Sequence, residues 1–345
     1  MKLLSWQALA NNRLIHSLKT ALAVLIGYAI TKSVHFPVDQ WLIITILVVM
    51  CAQMNVGSMI QKSYMRFLGT LLGSLVAIFT LTFFGTKPIV IAIVLFLAAM
   101  LFSYIATSQK SYSDSGTLGA VTISVILVGQ HPTVITAAGR FLEISIGILI
   151  AALVSQFILP IHARRNLRNI QAHTLRQLRD YYQATLINEH IDYPLKNLTT
   201  LDETIAKSLI EQRKLSMEAM REPFKKVYNL KRFTQLLWGE KEILRCIGFM
   251  YHAYHASPRV YTLFSTMRVL HQFHTSACDT LDKIANFFEK NDHKKEIALP
   301  SVAELKTAIF SGIKILTQEE AVYASGFLCA AEILVARMQE VILQI

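Results

Sequence analysis

Two arginines stand in similar surroundings, 74 residues apart, at the head of long apolar runs. Arg66 begins the segment Arg-Phe-Leu-Gly-Thr-Leu-Leu-Gly, and Arg140 begins Arg-Phe-Leu-Glu-Ile-Ser-Ile-Gly. Each segment continues through further Leu, Val, Ile and Ala, as the start of a membrane-spanning helix does. Because cations along an apolar path attract anions, the pair predicts an anion pathway, with Arg66 near the cytoplasmic mouth and Arg140 near the opposite one.

The two arginines have a second interpretation, as anchors whose long side chains extend from the membrane interface into water. Anchoring alone gives no reason for a repeated motif, so the repeat favours the pathway. Glu143 follows Arg140 by three residues and shares its helix face, which positions it to neutralise that arginine. Arg66 is therefore the stronger functional candidate of the pair.

Lys19 and Asp114 are two further charges within or beside apolar segments. A lysine one turn into an apolar helix requires a wet cavity, a partner, or a side chain that reaches the interface. Asp114 is placed to pair with Lys19 or to carry a proton, and the alternative is an exposed loop acid or helix N-cap. The predicted anion pathway thus contains Lys19, Arg66 and Arg140, with Asp114 and Glu143 as possible proton or charge partners.

Composition divides the chain into two regions. The whole chain is 53% hydrophobic and only 17% charged, which is too apolar for an ordinary soluble domain. Residues 1–160 contain nine of the 34 Lys and Arg residues and three of the 23 acids. The sequence therefore predicts a membrane domain over residues 1–160 and a cytoplasmic α-helical domain over 161–345, in an all-α protein.

Apolar runs between polar breaks predict six transmembrane helices, near residues 14–33, 41–56, 65–84, 88–107, 115–130 and 134–160. The loops that contain Lys62, Lys110 and Arg164 are richer in cations than the loops between them. The positive-inside rule therefore places both termini in the cytoplasm. Each half has three spans, an odd number, so the chain enters the second half from the opposite side of the membrane. The fold is therefore predicted to be an inverted 3+3 repeat, as in many transporters.

The second span of each half is short and interrupted, and such paired interruptions are a sequence pointer to a binding site. In each half, the third span contains two small residues four positions apart. They are Gly69 and Gly73 in the first half, and Gly147 with Ala151 in the second. This spacing predicts close helix packing, whether or not a pathway exists.

These segments resemble the fusaric acid resistance and aromatic acid exporter proteins, which are related to the plant aluminium-activated malate transporters. The resemblance rests on His-Ser-Leu-Lys-Thr-Ala at residues 16–21, on residues 61–70 with their Arg-x-x-Gly-Thr core, and on residues 140–147 with Pro160 closing the sixth span. It covers roughly residues 10–170. The Arg-x-x-Gly-Thr core is its most specific part.

The resemblance implies a six-span unit with a cytoplasmic helical domain that moves aromatic or aliphatic carboxylates. By position, it assigns Lys19, Arg66 and Arg140 to the anion path. Many exporter relatives contain two membrane units in one chain, whereas this sequence contains one, which suggests a homodimer. Proton-coupled and channel-like transport both remain open, and no cofactor is expected.

After Pro160, capping boxes predict helix starts at Thr200, Ser301 and Thr317. The last apolar run, 318–343, is interrupted by three charged residues. It is predicted to be an amphipathic helix that packs in the bundle or at a dimer interface, rather than a seventh span.

Other classes of function have little support in the sequence. The histidine pairs at 252/255 and 271/274 are too far apart for one metal ion, and no Cys-x-x-Cys motif is present, so no metal site is expected. The net charge of +11 is spread over membrane flanks and mixed-sign helices, and no nucleic-acid-binding module is recognised. Without a nucleophile elbow, phosphate loop or HExxH motif, the chain is not expected to be an enzyme.

The sequence therefore predicts an integral protein of the bacterial inner membrane that exports organic anions. The alternative is a membrane-anchored scaffold whose cytoplasmic helical domain recruits a partner. The repeated arginines and the paired short spans favour the first function, because an anchor needs neither.

Overall fold

The structure, a computed structural model, describes residues 2–34, 40–51, 54–108, 112–129, 132–187, 195–222, 229–290 and 297–344. Within these ranges the chain forms helices and no β-strand, which confirms the all-α class for this part of the chain. Lys110, which helped to predict the orientation, lies outside them. The helices are α1 (Lys2–Val34), α2 (Gln40–Cys51), α3 (Val56–Phe84), α4 (Pro88–Ala106), α5 (Ser113–Leu127), α6 (Val134–Phe157), α7 (Ala163–Leu186), α8 (Leu195–Met220), α9 (Leu230–Tyr254), α10 (Pro258–Ser265), α11 (Arg268–Lys290), α12 (Val302–Ile313) and α13 (Gln318–Leu343).

The described helices belong to two compact units. The first unit contains α1 to α6 and, from later in the chain, Arg221 and Glu222. The second contains the chain from Arg164 to Met220 and the helices α9 to α13. Each unit has its own buried apolar side chains.

Five of the described helices are long and apolar enough to cross a membrane. They are residues 12–34 of α1, and α3, α4, α6 and α13. The helices α2 and α5 are apolar too, but they have only 12 and 15 residues, whereas about 20 are needed to cross the hydrocarbon core. These lengths are those of a polytopic membrane protein, and the two short helices are the second of each predicted half.

The helix α3 begins well before the apolar run that predicted it. That run indicated a start at residue 65, whereas the helix begins at Val56. Hydropathy detects only the apolar part of a helix, and the first turns here contain Gln61, Lys62 and Ser63. Arg66 is therefore inside α3 rather than at its head.

Glycines allow α3 and α5 to pack very closely. A Cβ atom on Gly69 would lie 2.5 Å from the carbonyl oxygen of Ser115, and one on Gly73 would lie 2.7 Å from that of Gly119. The step from Gly69 to Gly73 along α3 is thus matched by the step from Ser115 to Gly119 along α5. Both steps lead toward the C-terminus, so the two helices are parallel. Gly147 brings α6 against α2 in the same way, since a Cβ atom there would lie 2.8 Å from the carbonyl oxygen of Leu42.

In the second unit, α13 lies antiparallel to α9. Near one end, Arg232 donates a hydrogen bond to the carbonyl oxygen of Gln344, and near the other, Ser257 donates to a carboxylate oxygen of Glu320 at 2.7 Å. Although α13 has the length and composition of a membrane span, one row of its apolar residues is buried in this unit. This row includes Phe327, Leu334 and Met338.

The predicted helix starts have three different outcomes. At Thr317 both hydrogen bonds of the capping box are present, so this prediction is confirmed. Ser301 is the N-cap residue of α12, but its side chain makes no capping hydrogen bond. Thr200 lies inside α8, which begins at Leu195, so the predicted start there is wrong. The residues before Thr200 are themselves able to continue a helix, and the motif does not exclude that.

A carboxyl group is buried where α7, α8 and α9 meet. Glu240, which is 1% exposed, accepts a hydrogen bond from Nε2 of Gln212 at 2.6 Å, and the same nitrogen donates to Oγ1 of Thr174 at 2.8 Å. Burial raises the pKa of Glu240 to about 8, although the hydrogen bond from Gln212 favours the ionised form. The carboxyl group is therefore mostly neutral at pH 7.

We expect Glu240→Gln to make the thermal stability of the protein less dependent on pH. Because folding raises the pKa of Glu240 from 4.5 to about 8, its contribution to stability is complete below the lower value and is lost as the pH rises through the upper one. Glutamine keeps an acceptor for Gln212 but has no proton to lose. The unfolding midpoint of the variant should exceed that of the wild type by several degrees near pH 8 and match it near pH 4.5. A difference that stays constant over this range would contradict the explanation.

Candidate functional site

Arg66 and Arg140 line the same pocket of the first unit. The pocket lies among α2, α3, α5 and α6, and its other walls are aliphatic side chains of α5 and α6 together with Trp41, Thr70 and Thr122. The fold thus brings together two cations that are far apart in the sequence. Around them the wall is mostly apolar, with two hydroxyl groups and one indole ring.

Arg66 enters the pocket from α3 and is only 6% exposed. Its Nη2 atom donates a hydrogen bond to Oγ1 of Thr45, on α2, at 3.2 Å. Its Nε atom is buried and has no hydrogen-bond partner among the described residues. A guanidinium group has five N–H donors and binds planar anions through two at once. Arg66 therefore has donors available for an anion in the pocket.

Arg140 enters the pocket from α6 and is half-buried. Its guanidinium carbon lies 5.3 Å from the centre of the Trp41 ring, which is a cation–π distance. Within the described part of the chain, its Nε and Nη1 atoms have no hydrogen-bond partner. Trp41 is thus in contact with the second cation of the pocket.

The phenylalanines that follow the two arginines are also in contact. The ring centroids of Phe67 and Phe141 are 5.8 Å apart, with the rings tilted by 50°. This contact joins α3 to α6. The repeated Arg-Phe dipeptides of the two halves therefore meet at one place in the fold.

The expected separation of the arginines, with Arg66 at one mouth and Arg140 at the other, is wrong because both line one pocket. Arg66 is ten residues after the first residue of α3, and Arg140 is six residues after that of α6. At about 1.5 Å per residue, they lie roughly 15 Å and 9 Å inside their helices. At these depths α3 and α6 are in contact with each other.

The other predicted charges lie elsewhere in the unit. Lys19 is 1% exposed, and its Nζ atom has no hydrogen-bond partner within the described ranges, but it does not line the pocket. Glu143 is equally buried and close enough to Arg140 for their charges to interact. Asp114 is exposed in the first turn of α5. The structure therefore places Arg66 and Arg140 in one pocket, with Glu143 near Arg140, whereas Lys19 and Asp114 do not line that pocket.

Three buried threonines belong to this site and were not recognised from the sequence as candidates. Thr45 accepts the hydrogen bond of Arg66, and Thr70 and Thr122 line the pocket. All three are less than a tenth exposed. A hydroxyl in an otherwise apolar span is the signal that could have identified them, since polar groups inside a membrane usually have a partner or a function.

The pocket is very small in this structure. Its volume is about 10 Å³, which is room for about one water molecule. An organic carboxylate does not fit between the arginines unless α3, α5 or α6 moves. The donors are in place, but access to them requires a change of conformation.

His274 of the second unit is explained by packing. Nδ1 of His274 lies 2.7 Å from the hydroxyl of Tyr182, and burial, assisted by the nearby His271, lowers the pKa of His274 to about 3. Burial also raises the pKa of Tyr182. Both groups are therefore neutral at physiological pH. In the described part of the chain, no three His, Cys, Asp or Glu side chains are arranged to hold a metal ion.

The comparison with protein families covers the whole pocket. Residues 13–222 match the sequence model of the fusaric acid resistance protein family, and this range is more than half of the chain. The chain belongs to this family. The match includes both arginine motifs and extends to Glu222, in the first unit, whose carboxylate accepts a hydrogen bond from the backbone N–H of Ala163.

Two similar proteins come from Escherichia coli strain K12. The inner membrane protein YeeA is 25% identical over 182 residues, which are 53% of this chain and 51% of YeeA. The multidrug resistance protein MdtO is 31% identical over 170 residues, which are 47% of this chain and 25% of MdtO. The chain therefore matches about half the length of the first relative and a quarter of the second.

Proposed function

We propose that this member of the fusaric acid resistance family is an efflux transporter of the bacterial inner membrane that exports organic anions, with aromatic or aliphatic carboxylates as its substrates. The observation that carries the proposal is the shared pocket of Arg66 and Arg140. The names of the relatives agree with it, since YeeA is an inner membrane protein and MdtO a multidrug resistance protein.

The chemistry of the pocket favours an anion over a cation or a neutral molecule. Two guanidinium groups with available donors contribute two positive charges, and Glu143 near Arg140 compensates at most one of them. In a mostly apolar surrounding, charges are poorly screened, so a carboxylate gains more from two cations than it does in water. The Trp41 ring and the aliphatic wall provide contacts for an apolar or aromatic body.

We further propose six spans, related as an inverted 3+3 repeat. This is supported by an exchange of packing partners between the two halves: α3 packs against α5 at Gly69, and α6 packs against α2 at Gly147. In each case the third helix of one half contacts the second helix of the other. A twofold relation between the halves produces such an exchange, and it would place the paired arginines near the axis.

Transport in this proposal requires the pocket to open alternately toward each side of the membrane. The pocket in this structure, with room for about one water molecule, would be a contracted state that has to widen to admit the anion. The short helices α2 and α5 form two of its walls, and a short helix can tilt or shift within the bilayer with fewer contacts to break. Lys19, buried on α1, is proposed to guide anions toward the arginines, with Asp114 as a possible proton carrier at the start of α5.

The second unit is proposed to be cytoplasmic, with both termini on that side, and the functional protein is proposed to be a homodimer. The charge distribution in the sequence supports the orientation. The helix α4 supports the dimer, because it leaves most of its apolar residues exposed in the unit. Lipid or a second copy of the chain would cover them.

The proposal is tested by efflux from proteoliposomes that contain the purified protein. We expect loaded benzoate to leave faster than from protein-free liposomes, and benzamide, which has the same ring without the charge, to leave at the same rate in both. Malate extends the comparison to aliphatic acids. Efflux that requires a pH gradient would identify proton coupling, and efflux that follows voltage alone would identify a channel.

Two outcomes would contradict an anion transporter. Equal acceleration of benzoate and benzamide would exclude selection by charge. No protein-dependent efflux of any carboxylate would favour the alternative function, a membrane-anchored scaffold whose helical unit recruits a partner.

A further inference from the structure

The second unit contains a groove that transport through the first unit does not explain. It lies between α9 and α13, and has a volume of about 500 Å³. Its lining extends from Glu242 to Ala253 on α9 and from Val322 to Ile333 on α13. Eleven helical steps correspond to a length of about 16 Å. The volume is within the range of small-molecule sites.

The size of the groove indicates what it can hold. About 500 Å³ over a length of about 16 Å is a typical space for one small molecule. A flat aromatic ring or an alkyl chain fits in it.

The charged side chains of the lining lie at one end of the groove. Because the two helices are antiparallel, Arg245 and Ile333 lie toward one end, and His252 and Tyr323 toward the other. The middle contains Phe249, which is 68% exposed. An exposed phenylalanine in a concave surface is a favourable contact for an apolar ligand.

Arg245 provides the polar contact at its end of the groove. Its Nη1 atom donates to Glu242 at 2.8 Å, and its side chain is 70% exposed. The guanidinium group has five N–H donors, so this bond leaves donors for a second carboxylate. The adjacent Glu242 disfavours ligands with more than one negative charge at this end, and an elongated ligand with one carboxylate fits this pattern best.

We propose that the α9–α13 groove binds an elongated, largely apolar monocarboxylate, with its carboxylate at Arg245 and its apolar body along Phe249 and Gly326. This binding site belongs to the second unit alone and does not depend on the anion pocket or on transport.

An exposed cysteine in the groove allows a bound ligand to be detected. Cys329 lines it and is exposed. Cys246 and Cys278 are buried, and burial raises their pKa values to about 11 and about 12, so both remain unreactive thiols at neutral pH. Ser311, on α12, is exposed and outside the groove, so Ser311→Cys provides a second thiol for comparison in the same molecule.

The test measures the alkylation rate of Cys329 by a maleimide in the full-length protein in lipid nanodiscs, with each cysteine peptide quantified by mass spectrometry. The probe is biphenyl-4-carboxylate. We expect it to slow alkylation of Cys329 without changing that of the cysteine at position 311. The uncharged biphenyl-4-carboxamide should need about tenfold higher concentration, since one charge-assisted hydrogen bond corresponds to about that factor in affinity.

Variants separate this site from unspecific binding. Arg245→Gln should make the acid and the amide equally effective. Gly326→Leu should abolish protection, because a Cβ atom at Gly326 has open space around it and the longer side chain would fill the groove. Gly248→Leu is the matched control, since Gly248 is a glycine of α9 with equally open surroundings that does not line the groove.

Three results would overturn the proposal. One is alkylation of Cys329 that the acid does not slow at any concentration. The second is equal protection by the acid and the amide in the unmodified protein. The third is slow alkylation of Cys329 before any probe is added, when the position 311 cysteine reacts rapidly, because another protein chain would then cover the groove.

Discussion

Replacement of Arg66 by methionine is expected to slow organic-anion efflux strongly without lowering the thermal stability of the protein. The guanidinium group is buried, and its Nε atom has no hydrogen-bond partner among the described residues. Such a cation is expensive to bury unless it is fully paired, and an apolar side chain of similar size is often neutral or stabilising in its place. We expect the efflux rate of benzoate to fall by at least about tenfold, the loss for one charge-assisted contact to the anion, while the unfolding midpoint stays the same or rises.

Two further variants serve as controls for Arg66. Arg66→Lys keeps the charge but not the paired donors of the guanidinium group, so it should retain part of the efflux. Arg13→Gln removes an exposed cation of α1 and should leave efflux within about twofold of the wild type, because exposed charges are screened. A large drop in the unfolding midpoint of Arg66→Met, in parallel with the loss of efflux, would show that the arginine has a structural role instead.

The second large effect is expected from a single methyl group, in Gly69→Ala. The new Cβ atom would lie 2.5 Å from the carbonyl oxygen of Ser115 and 3.0 Å from the backbone nitrogen of Gly119. Backbone atoms cannot move aside as a flexible side chain can, so α3 and α5 must separate. Overpacking of this kind costs about 1–3 kcal/mol or more, and we expect the unfolding midpoint to fall by several degrees.

Gly248→Ala is the matched control for this variant. It makes the same change at a helical glycine, but the Cβ atom has no neighbour within 4 Å. Alanine is the better helix former by about 1 kcal/mol, so this variant should be as stable as the wild type or more stable. Equal effects of the two substitutions on the unfolding midpoint would contradict the close α3–α5 contact.

The elements of the first unit could be predicted from the sequence because their signal is local. A run of apolar residues between polar breaks identifies a helix without reference to the rest of the fold, and the predicted spans correspond to α1 to α6. The limits of the helices were less accurate. The predicted start of α3, at residue 65, is nine residues after the observed start at Val56. The first turns of α3 are polar, and hydropathy does not detect the polar part of a helix.

The composition of the site could be predicted only in part. The Arg-Phe repeat is visible in the sequence, but the contact between Phe67 and Phe141 depends on how α3 and α6 pack. Thr45 is the clearest omission, since its hydroxyl in the apolar α2 is visible in the sequence, whereas its hydrogen bond with Arg66 depends on how α2 and α3 pack. The groove in the second unit was not predicted, because its lining comes from two helices about 80 residues apart in the chain.

The central claim is that the two arginines of the repeat hold one anion together. The most direct measurement compares benzoate efflux in four proteins: the wild type, Arg66→Met, Arg140→Met and the double variant. If both arginines contact the same anion, their effects are coupled, and the double variant should be little slower than the slower single variant. Effects that multiply independently, or efflux at the wild-type rate in the double variant, would contradict a shared anion site.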